Sequence, residues 1–139
     1  AAALEHPDRV PALDAPLQEA PLKFAIAVSG FKPRDPAFGP LYETPIQVPM
    51  LHVLGRSDAV VDFGACTGGV AVLTGRAVQA ALENCANARV VYHDGGHYLP
   101  TPAPWRHFLR AFLESFRSED RDAWRTVPEP GEERAENKM

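Results

Sequence analysis

The sequence predicts an α/β fold with a mostly parallel sheet and flanking helices. Three short apolar runs predict buried strands, and two of them end directly before a turn with catalytic residue types. Segments with helical periodicity lie between and after these runs. Strands that alternate with helices are typical of a parallel sheet with right-handed crossovers. A chain of 139 residues has the size of one domain with one core.

The predicted strands cover residues 24–30, 49–54 and 88–93. The first is a continuous apolar run closed by glycine, as expected of a parallel strand that is buried on both faces. Residues 31–48, which connect it to the second strand, contain many prolines and show no helical period. A long ordered loop or a cap is expected there, and such loops are often functional.

Two helices are predicted. The first ends near residue 84 or 87 and has apolar residues at helical spacing, which are Val78, Ala81, Leu82 and Cys85. The second begins with Thr101 as N-cap and Pro102 at the first helical position. Its apolar residues form one stripe, which we expect to pack on the sheet. The members of the stripe are Trp105, Phe108, Leu109, Phe112, Leu113 and Phe116.

The two ends of the chain differ from the middle. Residues 1–5 favour helix but have no cap before them, which indicates the end of a helix that begins upstream. Residues 118–139 are charged and contain prolines, so a disordered tail is predicted, with Trp124 as its anchor. The predicted domain is therefore residues 1–117. Because three strands leave an open sheet edge, we expect it to be the carboxyl-terminal portion of a larger, here incomplete, fold.

Composition excludes several classes of partner. The net charge of −4 provides no basic surface for nucleic acid or an anionic membrane. No apolar run could span a bilayer, and the amino terminus shows no signal-peptide pattern. Cys66 and Cys85 do not form a disulfide framework, so a reducing, cytoplasmic location is expected. The oligomeric state is not predicted.

Two turns carry residues of catalytic type. Gly55-Arg56-Ser57-Asp58 follows the second strand, and Asp94-Gly95-Gly96-His97 follows the third. Open α/β sheets place their chemistry at the carboxyl edge of the strands. An acid after one strand and a histidine after the next match the last two triad members of an α/β-hydrolase. His97 is predicted as general base, and Asp58 as the acid that orients it.

Alternatives to these roles remain open. Asp62 and Asp94 compete with Asp58 as the acid, and Asp58 could instead cap its own turn. His97 could bond only to the backbone. His93, His97 and Asp58 could be imagined as a metal site, but the two histidines straddle a turn, so no metal is expected. His52 is expected to be a core histidine.

No Gly-x-Ser-x-Gly nucleophile elbow occurs in the sequence. Ser29 ends the first strand without a preceding glycine and is interpreted as a turn residue. Cys66 has no base beside it and is interpreted as a structural thiol. The glycine-rich residues 64–69 are not followed by Gly-Lys-Ser/Thr, so no phosphate loop and no cofactor are predicted.

At these residues the chain resembles the fungal serine hydrolase family, often called FSH, and its animal relatives of the ovarian-cancer-associated type. The matching segments, in family order, are residues 24–31, 33–35, 51–61 and 93–101. The resemblance implies an α/β-hydrolase fold and hydrolysis of carboxylic esters or thioesters of small acyl compounds. It also implies Asp58 as triad acid and His97 as triad base. Some family members release polyketide chains from a carrier domain, so carrier-bound acyl chains are among the implied substrates.

The resemblance has two departures. The family's serine elbow and oxyanion hole lie upstream of the matched part. Residues 62–80 are longer and more glycine-rich than expected, either as an insertion or as translated intron sequence.

Two functions therefore remain. The chain is the carboxyl-terminal part of a serine hydrolase whose serine lies outside it, with residues 31–48 and those near Tyr98 lining the acyl pocket. Alternatively, it is a truncated chain or pseudoenzyme that acts, if at all, by associating with another polypeptide.

Overall fold

The computed structural model of the chain describes residues 22–32, 35–58 and 82–131. The chain divides between Tyr98 and Leu99 into two compact units, and each is described by itself. Several predictions concern residues outside these ranges. They are the helical residues 1–5, the rival acid Asp62, the thiol Cys66, the segment 62–80 and the last eight residues of the tail.

The first unit contains a parallel sheet of three strands. These are β1 (Ala25–Val28), β2 (Met50–Gly55) and β3 (Ala88–His93), and the order across the sheet is β1-β2-β3. Both pairings are parallel. The parallel sheet of the predicted α/β fold is therefore confirmed. Because the three carboxyl ends lie at one edge, the residues that follow each strand are brought to the same side of the sheet.

The central strand β2 is buried along its whole length, as its continuous apolar sequence predicts. Successive side chains alternate between the two faces of the sheet. Met50 packs against Ile46 and Val48, together with the partly buried Ala25, Ala27 and Cys85. Leu54 packs against Leu82, Val90 and Tyr92. These clusters cover the face that β2 presents through its even-numbered residues.

The connection between β1 and β2 is ordered and contains a 3-10 helix, Pro36–Tyr42, which the sequence analysis did not predict. The Asp35 carboxylate accepts a hydrogen bond from the Ala37 amide at 2.9 Å and caps this helix. Pro40 lies inside this helix and provides no backbone N–H to it. Further along, Ile46 forms a parallel bridge with Cys85 and ties the connection to the sheet.

The residues just before β3 agree with the predicted helix end. Leu82 and Glu83 are helical, and the helix ends at Asn84. The earlier part of this predicted helix lies outside the described residues.

The second unit contains one long helix, α1 (Ala103–Ser115). It buries Trp105, Phe108 and Phe112, as the apolar stripe predicts, but Leu113 is 44% exposed. The predicted N-cap is wrong by one residue, since Pro102 rather than Thr101 occupies that position. Pro104 then lies in the first turn, where a missing backbone donor costs nothing. Packing of this helix on the sheet stays a prediction.

The chain after α1 contains turns in the segment for which the sequence predicts a disordered tail. Residues 118–131 form turns and a short 3-10 helix, Ala123–Arg125. Trp124 is only 2% exposed. Its ring stacks on Phe116 and meets Phe112 edge-on, with both ring centroids at 6.3 Å. Trp124 is thus buried as its predicted role of anchor requires, whereas the disorder of the tail stays a prediction. A large aromatic ring contributes much buried apolar surface at a single position.

No helix among the described residues is long and apolar enough to cross a membrane.

His52 is a core histidine, as predicted, and it is only 2% exposed in the middle of β2. Neither of its ring nitrogens has a hydrogen-bond partner within the described part of the chain. Burial lowers the pKa of His52 below its ordinary value of 6.5. The folded chain therefore resists protonation of this ring more than the unfolded chain does.

We expect the free energy of unfolding to decrease as the pH falls below about 6.5, where the unfolded chain binds the proton more readily. His52 can contribute at most about 1.4 kcal/mol per pH unit. His52→Leu should reduce this slope, because it removes the buried ring. Urea unfolding followed by the NMR signals of β2 at several pH values measures the slope. An unchanged slope in the His52 variant would contradict the assignment.

Candidate active site

The structure brings the predicted acid and base together at the carboxyl edge of the sheet. Asp58 Oδ2 lies 3.0 Å from His97 Nδ1. The Asp58 side chain is fully enclosed, whereas the His97 side chain is 40% exposed. A carboxylate in this position holds the imidazole proton on Nδ1 and leaves the Nε2 lone pair available. The pair therefore has the geometry of a general base with an orienting acid.

Asp58 stands on a tight turn that begins at Gly55. The Asp58 amide donates to the Gly55 carbonyl at 3.3 Å and closes the turn. A Cβ atom on Gly55 would clash with the carbonyl oxygens of Gly95 and Gly96. The turn after β2 and the turn after β3 are thus in direct backbone contact. Only glycine at position 55 permits this approach.

Hydrogen bonds fasten these two turns to each other. The Arg56 amide donates to the His93 carbonyl at 2.8 Å, and the Ser57 amide donates to the Gly95 carbonyl at 3.0 Å. The Ser57 hydroxyl donates to the Asp94 carbonyl at 3.2 Å. These bonds extend the pairing of β2 and β3 beyond the ends of both strands. Asp58 and His97 are therefore carried by sheet-anchored turns.

The rival acid Asp94 occupies a different environment. Its side chain is 98% exposed and pairs with Arg56 Nε at 3.4 Å. The Arg56 guanidinium also lies over the Tyr92 ring, 5.0 Å from its centroid. An exposed ion pair of this kind contributes little to stability. The other rival, Asp62, lies outside the described residues.

His93 lies beneath the turn that carries His97. It is 6% exposed, and its Nδ1 accepts a hydrogen bond from the Gly95 amide at 3.2 Å. Burial lowers the pKa of His93, although a backbone hydrogen bond with Tyr98 and the carboxylates of Asp58 and Asp94 oppose this shift. Within the described ranges, no group of three or more histidine, cysteine, aspartate or glutamate residues is placed to hold a metal ion.

Ser29 lies at the same edge, directly after β1, in an unusual conformation. Its φ of 49° falls in the left-handed region, which is strained for serine. It is 2% exposed, and its hydroxyl has no hydrogen-bond partner among the described residues, His97 included. A loop rather than a helix follows it. Ser29 therefore lacks the features of a nucleophile elbow, and the interpretation as a turn residue stands.

Exposed apolar side chains occur on the loops of the first unit. Phe31, directly beyond β1, and Tyr98, next to His97, are each 54% exposed. Phe38, in the 3-10 helix of the β1–β2 connection, is 46% exposed. The Tyr98 ring also covers Gly95 so closely that a Cβ atom there would clash with it. The loops around the edge thus offer apolar contact area.

Comparison with known proteins gives a consistent result. The family model described as "Serine hydrolase (FSH1)" matches residues 2–109. Esterase OVCA2 of Xenopus tropicalis is 33% identical over 93 residues, which are 67% of this chain and 35% of that protein. Family of serine hydrolases 3 of Saccharomyces cerevisiae is 28% identical over 114 residues, which are 81% of this chain and 38% of that protein.

A protein named dihydrofolate reductase from Schizosaccharomyces pombe is 32% identical over 99 residues, 71% of this chain but only 19% of that protein. The chain thus spans about a third of the length of the esterase and serine hydrolase relatives, at 35% and 38%, and a smaller part of this third relative. No solved structure matches the chain.

Gly55→Ala should destabilise the sheet by about 1–3 kcal/mol or more, because the added methyl group meets backbone atoms that cannot rotate away. Gly39→Ala is the matched control, since nothing lies within 4 Å of a Cβ atom at that position. It should change stability by less than about 0.5 kcal/mol. Urea unfolding followed by NMR signals of β2 compares the two variants. Equal stability of both would show that the two turns are not in contact.

The two serines at this edge should respond in opposite directions to replacement by alanine. Ser29→Ala removes a buried hydroxyl that has no partner in the described part of the chain, so the free energy of unfolding should rise by about 1 kcal/mol. Ser57→Ala removes a hydrogen bond and should lower it by about 0.5–1 kcal/mol. Urea unfolding compares the two variants with the unchanged chain. A loss of stability in Ser29→Ala would indicate a hydrogen-bond partner of the Ser29 hydroxyl outside the described residues.

Proposed function

The chain belongs to the FSH1 family of serine hydrolases, and from this premise we propose that it carries the acid and base of a catalytic triad. The reaction is hydrolysis of carboxylic esters or thioesters of small acyl compounds. The observation that supports this proposal most directly is the 3.0 Å contact between Asp58 Oδ2 and His97 Nδ1. In the proposed mechanism, His97 Nε2 takes the proton of a serine hydroxyl and returns it to the leaving alcohol or thiol. The enclosed Asp58 carboxylate stabilises the imidazolium formed between these steps.

The nucleophilic serine in this proposal lies on a segment outside the sequence. Three observations support this. The sequence contains no Gly-x-Ser-x-Gly elbow, and the hydroxyl of Ser29 makes no hydrogen bond to His97. The chain also covers only 35% of the Xenopus esterase it matches. The amide after that serine would supply part of the oxyanion hole, as it does in α/β-hydrolases. Water then attacks the acyl-serine ester, with His97 as base, and releases the carboxylic acid.

The proposed substrate has an apolar acyl group. Phe31, Phe38 and Tyr98 are exposed, and their loops connect to the strand ends near the Asp58–His97 pair. Apolar side chains of this kind suit an acyl chain better than a charged ligand. Release of a polyketide chain from a carrier protein is the more specific version of this proposal. There the leaving group is the carrier's thiol, and His97 protonates it.

A second candidate function is a non-catalytic half that associates with another polypeptide. The missing elbow favours it, because triad members act as a unit and a chain without the serine loses nearly all covalent catalysis. The two candidates differ in what precedes Ala1 in the native transcript.

The test is to sequence that transcript upstream of Ala1 and across residues 62–80, and then to express the chain alone and joined to its upstream segment. If the hydrolase proposal holds, the longer protein should hydrolyse an aryl ester and react with a fluorophosphonate probe. His97→Ala and Asp58→Asn should each lower kcat by on the order of 10⁴-fold. His107→Ala, an exposed histidine of the second unit, should leave it unchanged.

The rival acid is tested in the same assay. Asp94→Asn should lower kcat far less than Asp58→Asn, because Asp94 pairs with Arg56 at the surface. A larger loss in Asp94→Asn would transfer the acid role to Asp94. A transcript without an in-frame elbow, and no hydrolysis by its product, would support the non-catalytic candidate instead.

A further inference from the structure

We propose that His93 is a positioning residue that shapes the turn carrying His97 by accepting a hydrogen bond from the Gly95 amide. Its effect on turnover rests on the proposed function, but its effect on His97 is a property of this chain and can be measured without catalysis. His93 ends β3, four residues before His97, and the proposed mechanism leaves it without a role.

The contact imitates a familiar turn. In an Asx turn, the side-chain oxygen of Asn or Asp accepts a hydrogen bond from the backbone N–H two residues further on. His93 Nδ1 accepts from the Gly95 amide at 3.2 Å across the same interval. The ring is 6% exposed, so little water competes for this bond. The last side chain of the strand therefore sets the direction in which the chain leaves it.

Hydrogen bonds restrain Gly95 through both its amide and its carbonyl group. Its amide is held by His93, and its carbonyl accepts from the Ser57 amide at 3.0 Å. The Tyr98 ring covers Gly95 and lies 5.1 Å from the His93 ring, centroid to centroid. Because the glycine is held from both sides, the two residues between it and Tyr98 have little freedom. One of them is His97, and its distance from Asp58 depends on that restraint.

The bond requires a specific protonation state. A ring nitrogen can accept only without a proton, so neutral His93 must carry its proton on Nε2. His97 should carry its proton on Nδ1, which faces the Asp58 carboxylate. The two histidines of this turn are thus expected to be opposite tautomers.

Charges around His93 affect the pH range over which its ring stays neutral. Burial lowers its pKa, whereas the Tyr98 backbone and the Asp58 and Asp94 carboxylates act in the opposite direction. The Asp94 carboxylate is itself paired with the Arg56 guanidinium, at 3.4 Å from Nε. The facing residue of β2 is Gly55, which has no side chain to titrate. Protonation of His93 would remove the acceptor for Gly95, so the turn should loosen at low pH.

The test uses the chain as it is, labelled with ¹⁵N at histidine. Long-range ¹H–¹⁵N correlation spectra identify the protonated nitrogen of each ring. In the unchanged chain, His93 should be the Nε2–H tautomer, His97 the Nδ1–H tautomer, and the Gly95 amide should be protected from hydrogen exchange. His93→Asn keeps an acceptor for Gly95 and should preserve the His97 tautomer. His93→Phe keeps a ring without an acceptor and should shift His97 toward the Nε2–H form that free imidazole prefers.

His52→Phe is the matched control, because it replaces a buried histidine on the neighbouring strand, away from the turn. It should leave the His97 tautomer unchanged. In a catalytically complete protein, His93→Phe should lower kcat by on the order of 10²-fold with a smaller change in KM, and His93→Asn should restore most of this loss. A general loss of folding would not be rescued by asparagine.

Four results would overturn the proposal. They are a wild-type His93 protonated on Nδ1, a freely exchanging Gly95 amide, an unchanged His97 in His93→Phe, and equal effects of the Asn and Phe variants. The His93 tautomer and the Gly95 exchange rate are measured in the unchanged chain, so they test the proposal even if His93→Phe does not fold. If the tautomers behave as expected but the longer protein hydrolyses no ester, the proposed function fails and the role of His93 remains.

Discussion

The pairing of β2 with β3 continues past the last residue of each strand, and the geometry of the candidate site depends on this continuation. Parallel strands normally separate where their hydrogen bonds end. Here the Arg56 amide donates to the carbonyl of His93, the last residue of β3, and the Ser57 amide donates to a carbonyl of the turn that follows. Gly55 allows the two backbones to touch. The Asp58–His97 pair is therefore positioned by main-chain contacts. Side chains such as His93 refine that position.

Two of the buried polar side chains lie at the carboxyl ends of β2 and β3, where the adjoining turns supply hydrogen-bond partners. Asp58 is buried beyond the end of β2 and contacts His97 on the turn after β3. His93 is buried at the end of β3 and accepts a hydrogen bond from Gly95 in the turn that follows it. His52 and Ser29 are buried without side-chain partners among the described residues. Buried polar groups of the latter kind reduce stability. The first unit thus combines a hydrogen-bonded Asp58–His97 pair with buried polar groups that weaken the surrounding sheet.

Much of this arrangement could be predicted from the sequence, because it depends on local patterns. Continuous apolar runs predicted β3 at both ends and β2 to within one residue, whereas β1 is three residues shorter than predicted. The order of acid and histidine on successive strands predicted that Asp58 and His97 lie close together. Contacts between distant residues left no such pattern. The packing of Trp124 depends on aromatic rings that the end of α1 brings close to it. The hydrogen bond from the Gly95 amide to His93 was not predicted, because histidine is not a common acceptor in turns. The sequence signal for it is a histidine two residues before a glycine at the end of a strand.

The position of the tryptophans limits how folding of this chain can be followed. The sequence contains two, and both Trp105 and Trp124 lie buried in the second unit. Intrinsic tryptophan emission therefore originates in the second unit, and the segment that carries Asp58 and His97 contains no tryptophan of its own. A sharp fluorescence transition could be recorded while the first unit is already unfolded, or still folded. Tyrosine 42, 92 and 98 are the native chromophores on the side of the chain where the chemistry is proposed.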